Sequence, residues 1–210
     1  MIYAGGCSLT HGYDIHGKIE QEPMRDAWPG QLGKLLGHEV VNQAEAGLSN
    51  ETMFKKLMLY VQNNTKPDLV VLAFTEFSRM TFCDPWGKQQ NFRLVGNREE
   101  PFFDLQQKFF KYHYEDQFFY DKFLIQVQLW QTWLQAHDVN YLFLNAFDFS
   151  KLINKSELVA HIDTNRWWGF PDNSFTHTFK QYPVTDTRHP TLPAHVDLAK
   201  QLEPRARELL

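Results

Sequence analysis

The chain has 210 residues, of which 43% are hydrophobic and 22% charged, with a formal net charge of -4 and two cysteines. That length suits one domain able to bury a core without covalent staples. The acidic balance excludes the basic footprint of a nucleic-acid binder and the polybasic patch of an anionic-membrane binder, and Cys7 and Cys83 are too few for a disulfide scaffold, which suits a reducing compartment.

In chain order, "MIYAGG" reads as a short strand that ends in a glycine turn. After a polar loop, "AWPGQLGKLLG" reads as a helix stopped by Gly37. "HEVVNQA" is a short β-branched strand. "GLSNETMFKKLMLYVQNN" is the clearest helix: Ser49 or Asn50 can cap it, and Met53, Leu57, Tyr60 and Val61 share a face. "PDLVVLAF" is a continuous apolar run behind a proline, as expected of a central parallel strand buried on both faces. Residues 81–116 lack clear periodicity and are expected to form a lid or insertion on a single domain spanning 1–210.

"DQFFYDKFLIQVQLWQTWLQAHD" predicts a long amphipathic helix and "VNYLFLNAF" another buried strand. Residues 150–183 read as irregular, with "NRWWGFPDN" at their centre. The final "PTLPAHVDLAKQLEPRARELL" predicts a helix with a kink near Pro204 and Pro190 in its first turn. With 18 Phe, six Trp and eight Tyr, some rings are expected to line a pocket as well as the core. No apolar run approaches the roughly 20 residues of a membrane span. Met1 leads into the first strand without a signal-peptide pattern, so a cytoplasmic protein is the expectation.

Strands alternating with amphipathic helices predict an α/β fold, a parallel sheet with helices on both faces. Ligands of such sheets bind outside the carboxyl ends of the strands. The loops that matter therefore follow the strands ending near Gly5, Asn42, Phe74 and Phe147. Ser8 stands just past the first of these, where backbone N–H groups of a helical turn would face a developing anion. A serine needs a base. His189 in "TDTRHPTLPAH" is the best candidate, and Asp186, three residues before it, could turn back to orient the ring. Gly47 in "NQAEAGLSN" lets a main-chain N–H approach an oxyanion, and Asn50 adds a side-chain amide. Cys7 could compete as nucleophile or simply pack. The histidine spacings lack the i, i+4 pattern of a helical metal site, so no metal and no cofactor is expected.

Together "GGCSLTHG", "NQAEAGLSN" and "DTRHP" resemble the SGNH (GDSL-type) hydrolases, and the G-C-S block resembles a branch common in phage and marine bacterial genomes. The resemblance implies a three-layer α/β/α sandwich on a short parallel sheet, flavodoxin-like in connectivity. It implies catalytic Ser8, Asp186 and His189, with an oxyanion hole from Ser8 and Gly47. The third block departs from the family: "VVLAFTEFSRM" puts Glu76 where the family has an asparagine donor. Thr75 or Asn50 could supply the missing donor, or Arg79 could neutralise Glu76. Glu76, Arg79, Trp167 and Trp168 are candidate substrate contacts, the tryptophans as lid, acyl wall or satellite core. The expected function is a serine esterase that cleaves a small acyl ester, such as O-acetyl on a carbohydrate. The alternatives are an O-acyltransferase and a non-catalytic carbohydrate- or protein-binding module. The expected partner is a small-molecule or glycan ester, without nucleic acid or membrane.

Overall fold

The computed structural model describes residues 1–17, 25–83, 89–92, 102–153 and 156–210. Its centre is a sheet of five parallel strands. These are β1 (Ile2–Gly5), β2 (Val40–Asn42), β3 (Leu69–Phe74), β6 (Tyr141–Asn145) and β7 (Trp167–Trp168), in the order β2-β1-β3-β6-β7. All four pairings are parallel, with Ala4 opposite Asn42 on one side and Val71 on the other. Two further strands, β4 (Met80–Cys83) and β5 (Gln89–Phe92), form a separate antiparallel ribbon. The flanking helices are α1 (Ser8–His11), α2 (Trp28–Leu36), α3 (Asn50–Asn63), α4 (Phe103–Tyr112) and α5 (Asp116–Ala136), followed by α6 (Ser150–Ile153), α7 (Phe175–Phe179) and α8 (Leu192–Leu209). This is the α/β architecture expected, a parallel sheet with helices around it.

The alternation of β3 divides the core. Val70, Leu72 and Phe74 face one cluster with Tyr3, Phe143 and the inner side of α3 and α5. Leu69, Val71 and Ala73 face the other, with Ile2, Ala4 and residues of α2, α7 and α8. Every residue of β3 is buried, because helices cover both sides. The first cluster is strongly aromatic. Phe74 sits between Phe123, Phe143 and Trp167, with ring centroids 5.2, 4.8 and 5.1 Å away. Removing such a ring typically costs about 3–5 kcal/mol.

Local chemistry sets the helix ends. Ser49 caps α3 by accepting the Thr52 N–H at 3.3 Å. The Glu115 carboxylate caps α5 through the N–H groups of Gln117 and Phe118. Two features differ from the sequence reading. The last helix starts at Leu192 behind an extended Thr191, while Pro190 pairs with Val184 in an isolated bridge. It then continues to Leu209 as one helix with Pro204 inside. The "irregular" stretch supplies the fifth strand: Trp167 and Trp168 pair with Phe143 and Leu144, too briefly for a periodic signal. Within the stretch read as a lid or insertion, the ribbon and α4 are described, and residues 84–88 and 93–101 lie outside the described residues. Among the described residues no helix is long and apolar enough to cross a membrane.

A buried polar contact joins two of the helices that cover the second cluster. His195 on α8 is 1% exposed, and its Nδ1 accepts the Trp28 N–H of α2 at 3.1 Å. Burial pushes the His195 pKa down to about 3. The unfolded chain takes up this proton near the ordinary histidine value of about 6.5. The stabilisation is therefore complete above pH ~6.5 and is lost progressively as pH falls toward 3. Urea unfolding measured from pH 7 to pH 4 should show stability falling with acid, and His195→Gln should flatten that slope.

Candidate active site

The order β2-β1-β3 reverses direction at β1, so the crevice at the carboxyl ends of β1 and β3 is the topological switch point of the sheet. The loop leaving β1 is built for a tight turn. A Cβ on Gly6 would lie 2.1 Å from the Thr10 Oγ1, so no side chain fits there while α1 keeps its place. Cys7 follows, fully buried in the α2/α8 cluster, in a packing position rather than at the surface. Ser8 then opens α1 with its side chain half-buried.

The β2–α3 loop is stitched onto this turn. Asn42 donates from Nδ2 to the Thr10 carbonyl at 3.0 Å, and its Oδ1 accepts the Ala44 N–H at 3.1 Å. The Glu45 N–H reaches the Gly6 carbonyl at 3.2 Å. These bonds bring Gly47 beside Ser8. Gly47 has φ of 79°, the left-handed region that favours glycine. Among the described residues, no hydrogen bond takes the N–H of Ser8 or of Gly47.

His189 arrives from the other end of the chain. Its loop closes on itself: Thr185 N–H donates to the His189 carbonyl at 2.9 Å, and the His189 N–H donates to Thr185 Oγ1 at 3.2 Å. The imidazole stacks obliquely on Tyr13, with centroids 5.0 Å apart. Its Nδ1 lies 3.1 Å from the Thr187 carbonyl. Burial draws the His189 pKa below its ordinary value; the Thr187 carbonyl and Asp14 oppose this, and Arg79 adds to it. The ring is therefore neutral near pH 7, as a base must be.

Ser8, Gly47, Arg79 and His189 line one cleft of about 390 Å³, walled by Tyr13, Phe147 and Phe179, with Arg188 at its edge. The lining contains two arginines and no carboxylate. Arg79 is held from behind: its Nε donates to Glu76 at 3.2 Å, and the guanidinium lies 5.4 Å above the Phe147 ring. Its Nη1 is buried and unpartnered. Glu76 therefore stands as the partner of Arg79 and is absent from the cleft lining.

Other expected site residues lie elsewhere. Asn50 and Thr75 clasp each other: Asn50 Nδ2 donates to the Thr75 carbonyl at 3.1 Å, and the Thr75 N–H donates to Asn50 Oδ1 at 2.9 Å. Neither lines the cleft, although the Thr75 hydroxyl is buried without a partner. Trp167 is 4% exposed and belongs to the aromatic core, and Trp168 packs against the opposite cluster. Asp186 is exposed and forms no hydrogen bond or ion pair with His189 among the described residues. Thr185, Thr187 and His189 bond one another on one side of the loop, while Asp186 and Arg188 face solvent. The buried carboxylate near the ring is Asp14, which sequence reasoning missed. Its chain distance from His189 hid it, and the two threonines flanking Asp186 were the available hint. No group of three or more His, Cys, Asp or Glu among the described residues could hold a metal ion.

A model for a family of unknown function (DUF6071) matches residues 15–209. The chain belongs to this family. The match begins just past the Ser8 turn and includes Gly47, Arg79 and His189. No curated protein matches the sequence. Among solved structures, the DUF6071 chain is similar to TesA, with a TM-score of 0.60 at 15% identity over 100% of this chain and 99% of that one. It is similar to a carbohydrate esterase family 2 enzyme with a carbohydrate binding domain from Corynascus thermopiles (Myceliophthora fergusii), at 0.58 and 12% over 99% and 65%. A third is the acetyl xylan esterase Est2A from the rumen bacterium Butyrivibrio proteoclasticus, at 0.56 and 15% over 99% and 63%. The chain spans just under two thirds of the length of these two esterase chains. The shared feature is the fold, that of the SGNH hydrolases.

The Asn50–Thr75 clasp has a direct consequence. Asn50→Ala leaves a buried N–H and a buried carbonyl unpaired, at about 1–3 kcal/mol each. Chemical denaturation of Asn50→Ala should therefore show a loss of stability of about 2–6 kcal/mol. An unchanged midpoint would show that the clasp contributes nothing.

Proposed function

We propose that the protein is a serine esterase that cleaves a small acyl group, such as acetyl, from an oxygen-rich carrier such as a carbohydrate. The observation that carries this reading is that Ser8, from the start of the chain, and His189, from near its end, line one cleft at the switch point of an SGNH-type sheet. The similarity to carbohydrate esterases supports the substrate class.

In this reading the Ser8 hydroxyl attacks the ester carbonyl and passes its proton to His189 Nε2. The N–H groups of Ser8 and Gly47 receive the oxyanion. The imidazolium then protonates the departing alkoxide, which leaves an acyl-serine. Water, deprotonated by His189, attacks that ester; the acid departs and Ser8 regains its proton. Asn50 or Thr75 was expected as a third oxyanion donor; the two exchange bonds with each other and neither lines the cleft. Arg79 and Arg188 offer charge to an acidic or polyhydroxylated carrier, and Phe147 and Phe179 offer apolar walls to the acyl chain. Asp186, the third member implied by the resemblance, has no bond to His189, so the reading rests on the Ser8–His189 pair.

The test is incubation with p-nitrophenyl acetate and with a fluorophosphonate probe. The parent should hydrolyse the ester and be labelled once, and Ser8→Ala should lose both. His189→Ala should slow labelling by roughly a hundred- to ten-thousand-fold, the usual contribution of a general base. A parent that neither hydrolyses nor labels, yet binds an acetylated glycan saturably, would replace the enzyme with a binding module.

A further inference from the structure

Asp14 lies six residues beyond Ser8 and is 5% exposed. Its backbone is in the left-handed region, with φ of 61°, which aspartate tolerates better than most residues. Its Oδ2 accepts the Thr187 hydroxyl at 2.7 Å. The threonine groups of this loop, the Thr187 hydroxyl foremost, hold its carboxyl below the ordinary range. Thr187 Oγ1 is in turn 2.9 Å from His189 Nδ1.

Counting protons gives the direction of the chain of bonds. A threonine hydroxyl has one proton. An ionised carboxylate cannot donate, so that proton is committed to Asp14, and Oγ1 can only accept from His189. The Thr187 carbonyl, 3.1 Å from the same Nδ1, can also only accept. Both contacts require the imidazole proton on Nδ1, which leaves the lone pair on Nε2, the nitrogen a general base needs.

We infer that Asp14, acting through the Thr187 hydroxyl, is the positioning residue of His189: together with the Thr187 carbonyl it holds the Nδ1–H tautomer, and its charge favours the imidazolium formed during reaction. The inference rests on the reading of His189 as the base. The charged groups around the ring come from several elements. Asp14 follows α1 and favours the protonated form; Arg79 follows β3 and opposes it; Arg188 is the adjacent residue; and His195 on α8 is neutral. Asp14 is the acidic group of this set.

The experiment is NMR titration of the His189 ring in histidine-labelled protein, which needs no turnover, alongside the pH profile of p-nitrophenyl acetate hydrolysis. Asp14→Asn keeps the shape and removes the charge. It should lower the His189 midpoint by roughly half a pH unit or more, with the acidic limb of kcat/KM moving by the same amount. Thr187 is exposed, so its variants leave packing intact. Thr187→Val keeps the main-chain carbonyl that accepts from Nδ1 but cuts the link to Asp14, so it should lower the His189 midpoint as Asp14→Asn does, and Thr187→Ser should restore the parent. A His189 midpoint unmoved in both Asp14→Asn and Thr187→Val overturns the proposal. So does a midpoint that falls in Asp186→Asn but not in Asp14→Asn. If the parent proves inactive, the esterase reading fails while the ring titration still decides the role of Asp14. If Asp14→Asn does not fold, the Thr187 pair decides it.

Discussion

The site depends on β1 having a parallel partner on each side. Because β2 and β3 both run alongside it, the crossovers leave toward opposite faces, and a gap opens at the carboxyl ends of β1 and β3. The turn after β1 fills the bottom of that gap, and the β2–α3 loop is bonded onto it through Asn42 and Glu45. Arg79 comes from beyond the end of β3, Phe147 from beyond β6, and His189 from the loop before α8. No single segment makes the cleft. What holds the contributors in register is the ladder of β1 and the two cores that press helices against it.

Polar groups near the cleft are mostly anchored from behind, which leaves few of them free to reorient. Arg79 is turned by Glu76 and rests on Phe147, so one acidic residue restrains a cation without entering the cleft. Asn50 and Thr75 exchange two bonds with each other, locking the end of β3 to the first turn of α3. His189 is held by a loop that bonds to itself. Fixed dipoles of this kind need little rearrangement when charge develops, which is where electrostatic catalysis draws its strength.

Much of this was legible in the chain. The apolar run of β3, the capped helices α3 and α5, and the glycine turn after β1 each carry a local signal that tertiary packing then reinforces. Ser8, Gly47 and His189 were readable because their loops follow predicted strands or precede a predicted helix. The two-residue strand Trp167–Trp168 was not, since such a short element has no period and its pairing is set by β6. The clasp between Asn50 and Thr75 was also hidden. Composition shows an amide at a helix start and a threonine at a strand end, but not that the amide will pair with the threonine's backbone. Asp14 escaped notice because sequence proximity favoured Asp186, and proximity along a chain says little about which side of a loop a carboxylate occupies.

The bond between Asp14 and Thr187 spans 173 positions of the chain. During synthesis the turn at Ser8 is made well before the loop that carries His189. Until the loop of residues 185–189 is made, Asp14 has no hydroxyl to accept and the cleft lacks one wall. The cleft is thus completed late, when α8 docks and the loop before it closes on the turn after β1.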